Sequence, residues 1–330
     1  MKYKTLVLPT RHRLDDVCSV ACRKLIEQHC DPIWNELDRD LTAAELSDLI
    51  GDAEILLTSW GSPAITAEML ARAGRLRVVA HAAGSVKSLV PESIFDRDIA
   101  VFSAAPRIAW SVGEYCLTAL LTMLNRLAEW DANVRESGWK SGDLRRRELT
   151  KKRVGIVSAS STARAFIRLL EPFNCEVLVY DPYLEAAQMA RLGVQKATLE
   201  EVMQCEIISL HIPSIPETKH MIGAELLSLI PDGGILINSS RAAVVEEHEL
   251  IAQLQSGRFL AAFDVFHAEP LRADHPFLSM DNVLLTPHIA GDTVEGHQAL
   301  MYEVLSDVFG YLGGAQPKYA VDASKWAILA

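Results

Sequence analysis

Short apolar runs alternate with stretches of helical periodicity along nearly the whole chain, and no other feature limits the fold so tightly. Thr5–Leu8, Ile55–Thr58, Leu76–His81 and Ile99–Phe102 are dominated by apolar residues, which suits strands buried on both faces. Ile33–Asn35 is a weaker strand candidate. Asp15–His29, the segment from Thr42 to Ile50, and Thr66–Ala73 repeat apolar residues at helical spacing, and Thr42 with Glu45 reads as a capping box. Strands of this kind with helices between them build a parallel sheet covered on both sides. A second series starts at Val154. Its strands are expected at Glu176–Tyr180, Ile207–His211, Gly234–Asn238, Leu260–Phe263 and Val283–Leu285, with helices between them. The expectation is an α/β chain of two domains, a smaller one over 1–105 and a doubly wound parallel sheet over 106–292.

Ala104-Ala105-Pro106 separates the two series, and one long helical pattern follows from Trp110 to about Glu136. Its stripe of Val112, Cys116, Leu120 and Leu127 suits packing between domains or subunits. Gly138 and Gly142 then interrupt it, and a helix from about Thr293 to Leu312 precedes a mixed tail. The 330 residues are 49% hydrophobic and 23% charged, a globular composition. With a net charge of −11, the chain lacks the cationic stripe that nucleic acid requires; Arg145–Arg147 and Lys151–Arg153 read as a solvated loop and strand edge. No apolar run reaches the roughly 18 residues a membrane helix needs, and the charged start does not read as a signal peptide. A cytoplasmic protein with no membrane or nucleic-acid partner is expected. The six cysteines show no CxxC spacing; Cys18 and Cys22, one helical turn apart, read as core residues, and no metal is expected.

Val154–Asp181 has the outline of a dinucleotide-binding unit: strand, tight turn, helix, second strand, and an acid closing it. The glycines that define such a turn are missing. Ser158, Ser160 and Ala163 stand where G-x-G-x-x-G would put them. A Cβ at positive φ costs about 1–2 kcal/mol, although serine and alanine are the smallest replacements. Ser160, Ser161 and Thr162 at the helix start still offer N–H groups and hydroxyls to phosphate. Asp181, about 20 residues on, suits the adenosine ribose hydroxyls and repels a 2′-phosphate. Pro182 and Tyr183 follow it, not arginine, so NAD is favoured over NADP.

Three segments place polar residues just past apolar strands, at the edge where open α/β sheets bind ligands. ILINSSRAAVVEE carries Ser239, Ser240 and Arg241; AAFDVFHAEP carries Asp264 and Glu269; NVLLTPHIAGDT carries His288. An arginine, a glutamate and a histidine at one edge suit the reduction of a 2-oxo acid. Arginine grips the carboxylate at two points and polarises the carbonyl. Histidine protonates the carbonyl oxygen as hydride reaches the carbon, and removes that proton in reverse. Glutamate fixes the histidine's tautomer. Singly, each has a plainer reading as an ion pair, a loop residue or a solvated carboxylate; together in these motifs they outweigh it. His211 reads as a structural or adenine-pocket residue, and with Ser239 it completes the candidate cofactor set. Trp110 and Trp139 read first as packing residues.

These motifs resemble the D-isomer-specific 2-hydroxyacid dehydrogenases. The resemblance covers essentially the whole chain and is densest from Val154 to Gly291, through SLHIPSIPET, LINSSRAAVVEE, AAFDVFHAEPL and NVLLTPHIAG. It implies Arg241 as the substrate arginine, Glu269 as its glutamate, His288 as acid/base and Asp264 as partner of the nicotinamide carboxamide. It also implies that Ala83, Gly84 and Ser85, in HAAGSVK, cradle the substrate carboxylate with backbone N–H groups. Glu269 in place of glutamine favours hydroxy acids over formate. By the same resemblance a Rossmann-type NAD domain joins a smaller flavodoxin-like substrate domain that also receives the tail 293–330, and the nucleotide domain forms a homodimer. Lys87 stands where many relatives carry an acid, so it alters specificity or pairs with a surface carboxylate. Two functions follow. One is NAD-dependent interconversion of a small 2-oxo acid and its D-2-hydroxy acid. The other, motivated by the lost glycines, is a non-catalytic nucleotide-sensing or interaction module. Neither the particular acid nor the direction is written in the sequence.

Overall fold

A computed structural model describes residues 2–140 and 145–329; Gly142 lies outside them. The chain divides into two compact units, Met1–Ile108 with Asp292–Ala330, and Ala109–Gly291.

The first unit is built on five strands: β1 Tyr3–Val7, β2 Cys30–Trp34, β3 Ile55–Thr58, β4 Val78–His81 and β5 Ala100–Ser103. They lie in the order β2-β1-β3-β4-β5, and every pairing is parallel. Its helices are α1 Arg11–Val17, α2 Val20–His29, α3 Ala43–Leu49 and α4 Ala67–Arg72, with a last helix returning from the chain's end. Strand periodicity of two explains why the central runs hold so few polar residues. Leu6, Leu56 and Val79 face a core with Leu46, Ile50 and Leu70 of one helical layer, while Val7, Leu57 and Val78 face the other side. The edge strand β2 carries Pro32, whose missing N–H is tolerated there.

The sequence suggests one helix over Asp15–His29, but there are two. Ser19 opens the second, its hydroxyl accepting the N–H of Cys22, so the chain turns between them. Cys18 and Cys22 are both buried in the core.

The second unit holds α5 Ala105–Asn125 from Ala109 onward, then α6 Leu127–Arg135, α7 Ser161–Leu170, α8 Ala186–Arg191, α9 Leu199–Met203, α10 Ala224–Ser228 and α11 Glu247–Gln255. The returning helix of the first unit is α12, Val294–Leu312. Strands β6 Arg153–Val157, β7 Glu176–Tyr180, β8 Gln195–Lys196, β9 Ile207–Leu210, β10 Ile235–Asn238, β11 Leu260–Phe263 and β12 Val283–Leu285 form the sheet β12-β11-β10-β9-β6-β7-β8. All its pairs are parallel, and the order reverses beside β6, which creates a switch point at that strand's carboxyl end. The long pattern after Trp110 is broken at Arg126, whose φ of 52° ends α5 and starts α6. Pro106 does not punctuate the chain ahead of the helix; it sits in the first turn of α5, where a missing N–H costs nothing. β8 is two exposed polar residues, which no apolar pattern reveals.

Of the basic cluster, Arg145, Arg146, Lys151 and Arg153 are exposed, and Arg147 and Lys152 are half-buried. Arg147 donates to the carbonyl of Gly233 at 2.6 Å, and Lys152 pairs with Glu206 at 2.7 Å. No described helix is long and apolar enough to cross a membrane.

Gly155 shows how closely the second unit is packed. A Cβ there would lie 2.4 Å from the carbonyl oxygen of Val202 on α9. Gly155→Ala is expected to lower unfolding stability by about 1–3 kcal/mol in a denaturant titration. An unchanged midpoint would show that α9 does not press on β6.

Candidate active site

Because the strands of the second unit are parallel, the turns after β6, β10, β11 and β12 all leave by one edge of the sheet. The turn after β6 holds Ser158 at φ 73°, the left-handed geometry that a glycine would take. Its backbone is pinned from several sides. Ser158 N–H donates to the carbonyl of Tyr180 at 2.7 Å. Ala159 N–H donates to Asp181 Oδ2 at 2.8 Å, and the Arg164 guanidinium to the carbonyl of Ala159 at 2.9 Å. Asp181 is buried, and its Oδ1 accepts from Tyr183 N–H at 2.8 Å. The acid assigned to ribose thus also holds the turn, and each oxygen keeps a further lone pair. Beside it an open hollow of about 500 Å³ is lined by Tyr180, Asp181, Pro182, Lys196, Thr198 and Leu199.

Ser160 is the N-cap of α7, yet its side chain does not cap the helix. At the other Ser and Thr N-caps (Thr10, Ser19, Thr42, Thr66, Thr198 and Thr293) the hydroxyl accepts from the first turn. Here the N–H groups of Ser161, Thr162 and Ala163 have no acceptor among the described residues. Free donors at the positive end of a helix, beside a carboxylate at the next strand end, fit a dinucleotide's phosphates and ribose. NAD fits the residues present.

Two members of the candidate cofactor set are buried. His211 is 3% exposed, with Nδ1 2.9 Å from Thr162 Oγ1 and Nε2 2.9 Å from Ser209 Oγ. Burial pushes its pKa down to about 3, so the ring is neutral. Of its two sequence readings, the structural one describes this geometry. Ser239 is also buried, its hydroxyl 3.1 Å from Cys116 Sγ.

The turn after β10 presents Arg241. Asn238 clamps it: its amide donates to the carbonyl of Arg241, and its Oδ1 accepts from the Ser240 N–H and hydroxyl. Arg241 is exposed and spends one N–H on the carbonyl of Ser240. After β11, Glu269 Oε1 accepts from the N–H of Phe266 at 3.0 Å, and Oε2 lies 2.7 Å from His288 Nδ1. The His288 side chain is 50% exposed, and its Nε2 has no partner among the described residues. Burial works to raise the pKa of Glu269. The hydrogen bonds from His288 and Phe266 and the charges of His288 and Arg241 outweigh it, and the carboxyl sits below its ordinary 4.5.

Asp264 has no exposed surface. Its Oδ1 accepts from the Thr286 hydroxyl at 2.6 Å and the Ile289 N–H at 2.8 Å, and its Oδ2 from the Ala290 N–H at 2.8 Å. Every one of these bonds ties down the turn on which His288 sits at φ 58°. The carboxylate holds that turn, and Oδ2, with one donor, keeps a further lone pair. Tyr115 adds a bond of 2.6 Å to Thr286. Asn238, Thr286 and Tyr115 are the positioning residues that sequence reasoning missed; only the apolar strands flanking Asn238 and Thr286 hint at them.

In the first unit, Ala83, Gly84 and Ser85 follow β4, and their N–H groups have no acceptor among the described residues. Ser103 Oγ holds the loop through the carbonyls of Ala83 and Gly84. Lys87 pairs with no carboxylate among the described residues: Nζ donates to the carbonyl of Ala327 at 3.0 Å and lies over the Trp326 ring. Trp110 donates to Glu114 and lies under Arg168, whereas Trp139 is exposed.

The model of the D-isomer specific 2-hydroxyacid dehydrogenase NAD-binding domain matches residues 117–290. The chain belongs to that family, whose members are oxidoreductases acting on CH–OH donors, and NAD(H) is its cofactor. D-3-phosphoglycerate dehydrogenase of Methanocaldococcus jannaschii is 28% identical over 267 residues, 80% of this chain and 51% of that protein. The chain spans about half the length of such relatives. Glyoxylate reductase of Pyrococcus furiosus is 29% identical over 299 residues, 88% of each. The solved phosphoglycerate oxidoreductase from Rhizobium etli superposes with a TM-score of 0.81 at 27% identity, over 96% of this chain and 98% of that one. These relatives give the non-catalytic alternative no support.

Glu269 also sets a pH dependence. A depressed folded pKa stabilises the protein above the ordinary glutamate value, and that gain is lost as pH falls through the depressed one. Wild type is expected to melt above Glu269→Gln at neutral pH, with the two curves converging in acid. A gap that widens on acidification would contradict the assignment.

Proposed function

We propose that this protein is an NAD-dependent dehydrogenase that interconverts a small 2-oxo acid and its D-2-hydroxy acid. The observation that carries the reading is the 2.7 Å pairing of His288 Nδ1 with Glu269, which leaves Nε2 of a half-exposed ring unpartnered among the described residues. NAD(H), when bound, supplies or accepts the hydride. His288 protonates the substrate carbonyl oxygen from Nε2 in reduction, and takes the hydroxyl proton there in oxidation. Glu269 keeps Nδ1 occupied, so the proton that moves is the one on Nε2. Arg241 binds the substrate carboxylate and draws charge from the carbonyl oxygen. Ala83, Gly84 and Ser85, whose N–H groups have no acceptor among the described residues, are assigned to substrate binding. Ser160, Ser161, Thr162 and Asp181 hold NAD, with His211, Ser239 and Asp264 supporting the turns from below.

The substrate is assigned as an acid of the size of glyoxylate or hydroxypyruvate, as the names of the relatives suggest. A homodimer through the nucleotide unit belongs to the same reading, supported by the exposed apolar Leu127 and Val134 on α6.

The test is NADH oxidation with a panel of 2-oxo acids. Wild type should turn over at least one, and His288→Ala should lose about 10²- to 10⁴-fold in kcat with NADH affinity unchanged. Turnover that survives His288→Ala intact would overturn the role of that residue. No turnover with any acid, despite NADH binding, would overturn the activity.

A further inference from the structure

The turn that replaces the glycine-rich loop stands on a line of hydroxyls running inward. Ser160 Oγ is 3.0 Å from Thr162 Oγ1, Thr162 Oγ1 is 2.9 Å from His211 Nδ1, and His211 Nε2 is 2.9 Å from Ser209 Oγ. Ser160 and Thr162 are half-buried, while His211 and Ser209 are buried.

A neutral imidazole carries one N–H, so it donates to one neighbouring hydroxyl and accepts from the other. That leaves two proton arrangements. With the proton on Nε2, the ring donates to Ser209 and Thr162 donates to Nδ1. Ser160 must then donate to Thr162, and it turns only lone pairs toward the start of α7. With the proton on Nδ1, the ring donates to Thr162, the Thr162 proton is free to go to Ser160, and Ser209 donates to Nε2. The Ser160 proton is then free to point at a ligand. An anion at the helix start opposes the first arrangement and favours the second.

We propose that His211 is a positioning residue whose Nδ1–H tautomer turns the Thr162 and Ser160 hydroxyls outward, so that Ser160 donates to the NAD pyrophosphate. The side chain of Ser160 is free for this because it does not cap its own helix. The backbone around it is already fixed by Asp181 and Arg164. A hydroxyl thereby supplies a bond where a glycine would have let phosphate approach the main chain. The inference rests on NAD binding and not on which acid is turned over.

The test uses the whole protein with histidine labelled by ¹⁵N, and the His211 signal assigned by its loss in His211→Gln. Saturation with ADP-ribose, which carries the pyrophosphate and no nicotinamide, should give the Nδ1–H pattern. Ser160→Ala and Thr162→Val should weaken binding of NADH and ADP-ribose by about ten-fold and leave adenosine binding unchanged. Thr162→Ser should restore the affinity. An Nε2–H ring in the complex, or a Ser160→Ala protein that binds ADP-ribose as wild type does, overturns the proposal while leaving the dehydrogenase reading intact. A wild-type protein that binds neither NADH nor ADP-ribose overturns both.

Discussion

The buried carboxylate of Asp264 is the interaction on which the candidate active-site edge depends. A carboxylate without exposed surface must find donors, because desolvation with no compensating bond costs several kcal/mol. Its donors are the Thr286 hydroxyl and the N–H groups of Ile289 and Ala290, on either side of His288. One side chain at the end of β11 therefore fixes the path of the chain after β12. His288 is left in a left-handed conformation with its ring against Glu269. Asn238 plays the same part for Arg241 at the end of β10. In both turns a buried polar side chain meets the backbone and an exposed one is presented for chemistry.

The sequence discloses the layers better than the joints. Strands such as Ile55–Thr58 and Ile207–Leu210 are wholly buried, and nothing but a buried strand suits so short an apolar run. The breaks at Ser19 and Arg126 stay hidden because helical periodicity continues across them, and the cap or left-handed residue that ends each helix is one ordinary side chain. Arg241, Glu269 and His288 are legible because their chemistry requires those residue types. The direction in which a side chain faces is not legible. Asp264, His211 and Ser239 suit the cofactor set by type and position, and the structure adds that each is buried and hydrogen-bonded within its own unit. Type and position in a motif do not separate a residue that touches a ligand from one that holds the residue that does.

The altered glycine loop follows the same logic. Ser158 accepts a left-handed φ at a cost of about 1–2 kcal/mol. The backbone bonds to Tyr180 and Asp181 hold it there. Where a glycine would leave open space, the Ser160 hydroxyl lies 3.0 Å from that of Thr162, which in turn lies 2.9 Å from His211. The first N–H groups of α7 remain without an acceptor among the described residues. The loss of a fingerprint is therefore compatible with the retention of the site it marks, and membership of the dehydrogenase family agrees with that.

On the proposed function, this edge of the sheet passes a hydride between NAD and the second carbon of a small acid. Incubation with NADH deuterated at its transferring C4 position and a panel of 2-oxo acids, followed by mass spectrometry of the products, tests it most directly. The account predicts one deuterium at C2 of a 2-hydroxy acid. Protein that binds the labelled NADH and delivers no deuterium to any acid would contradict it.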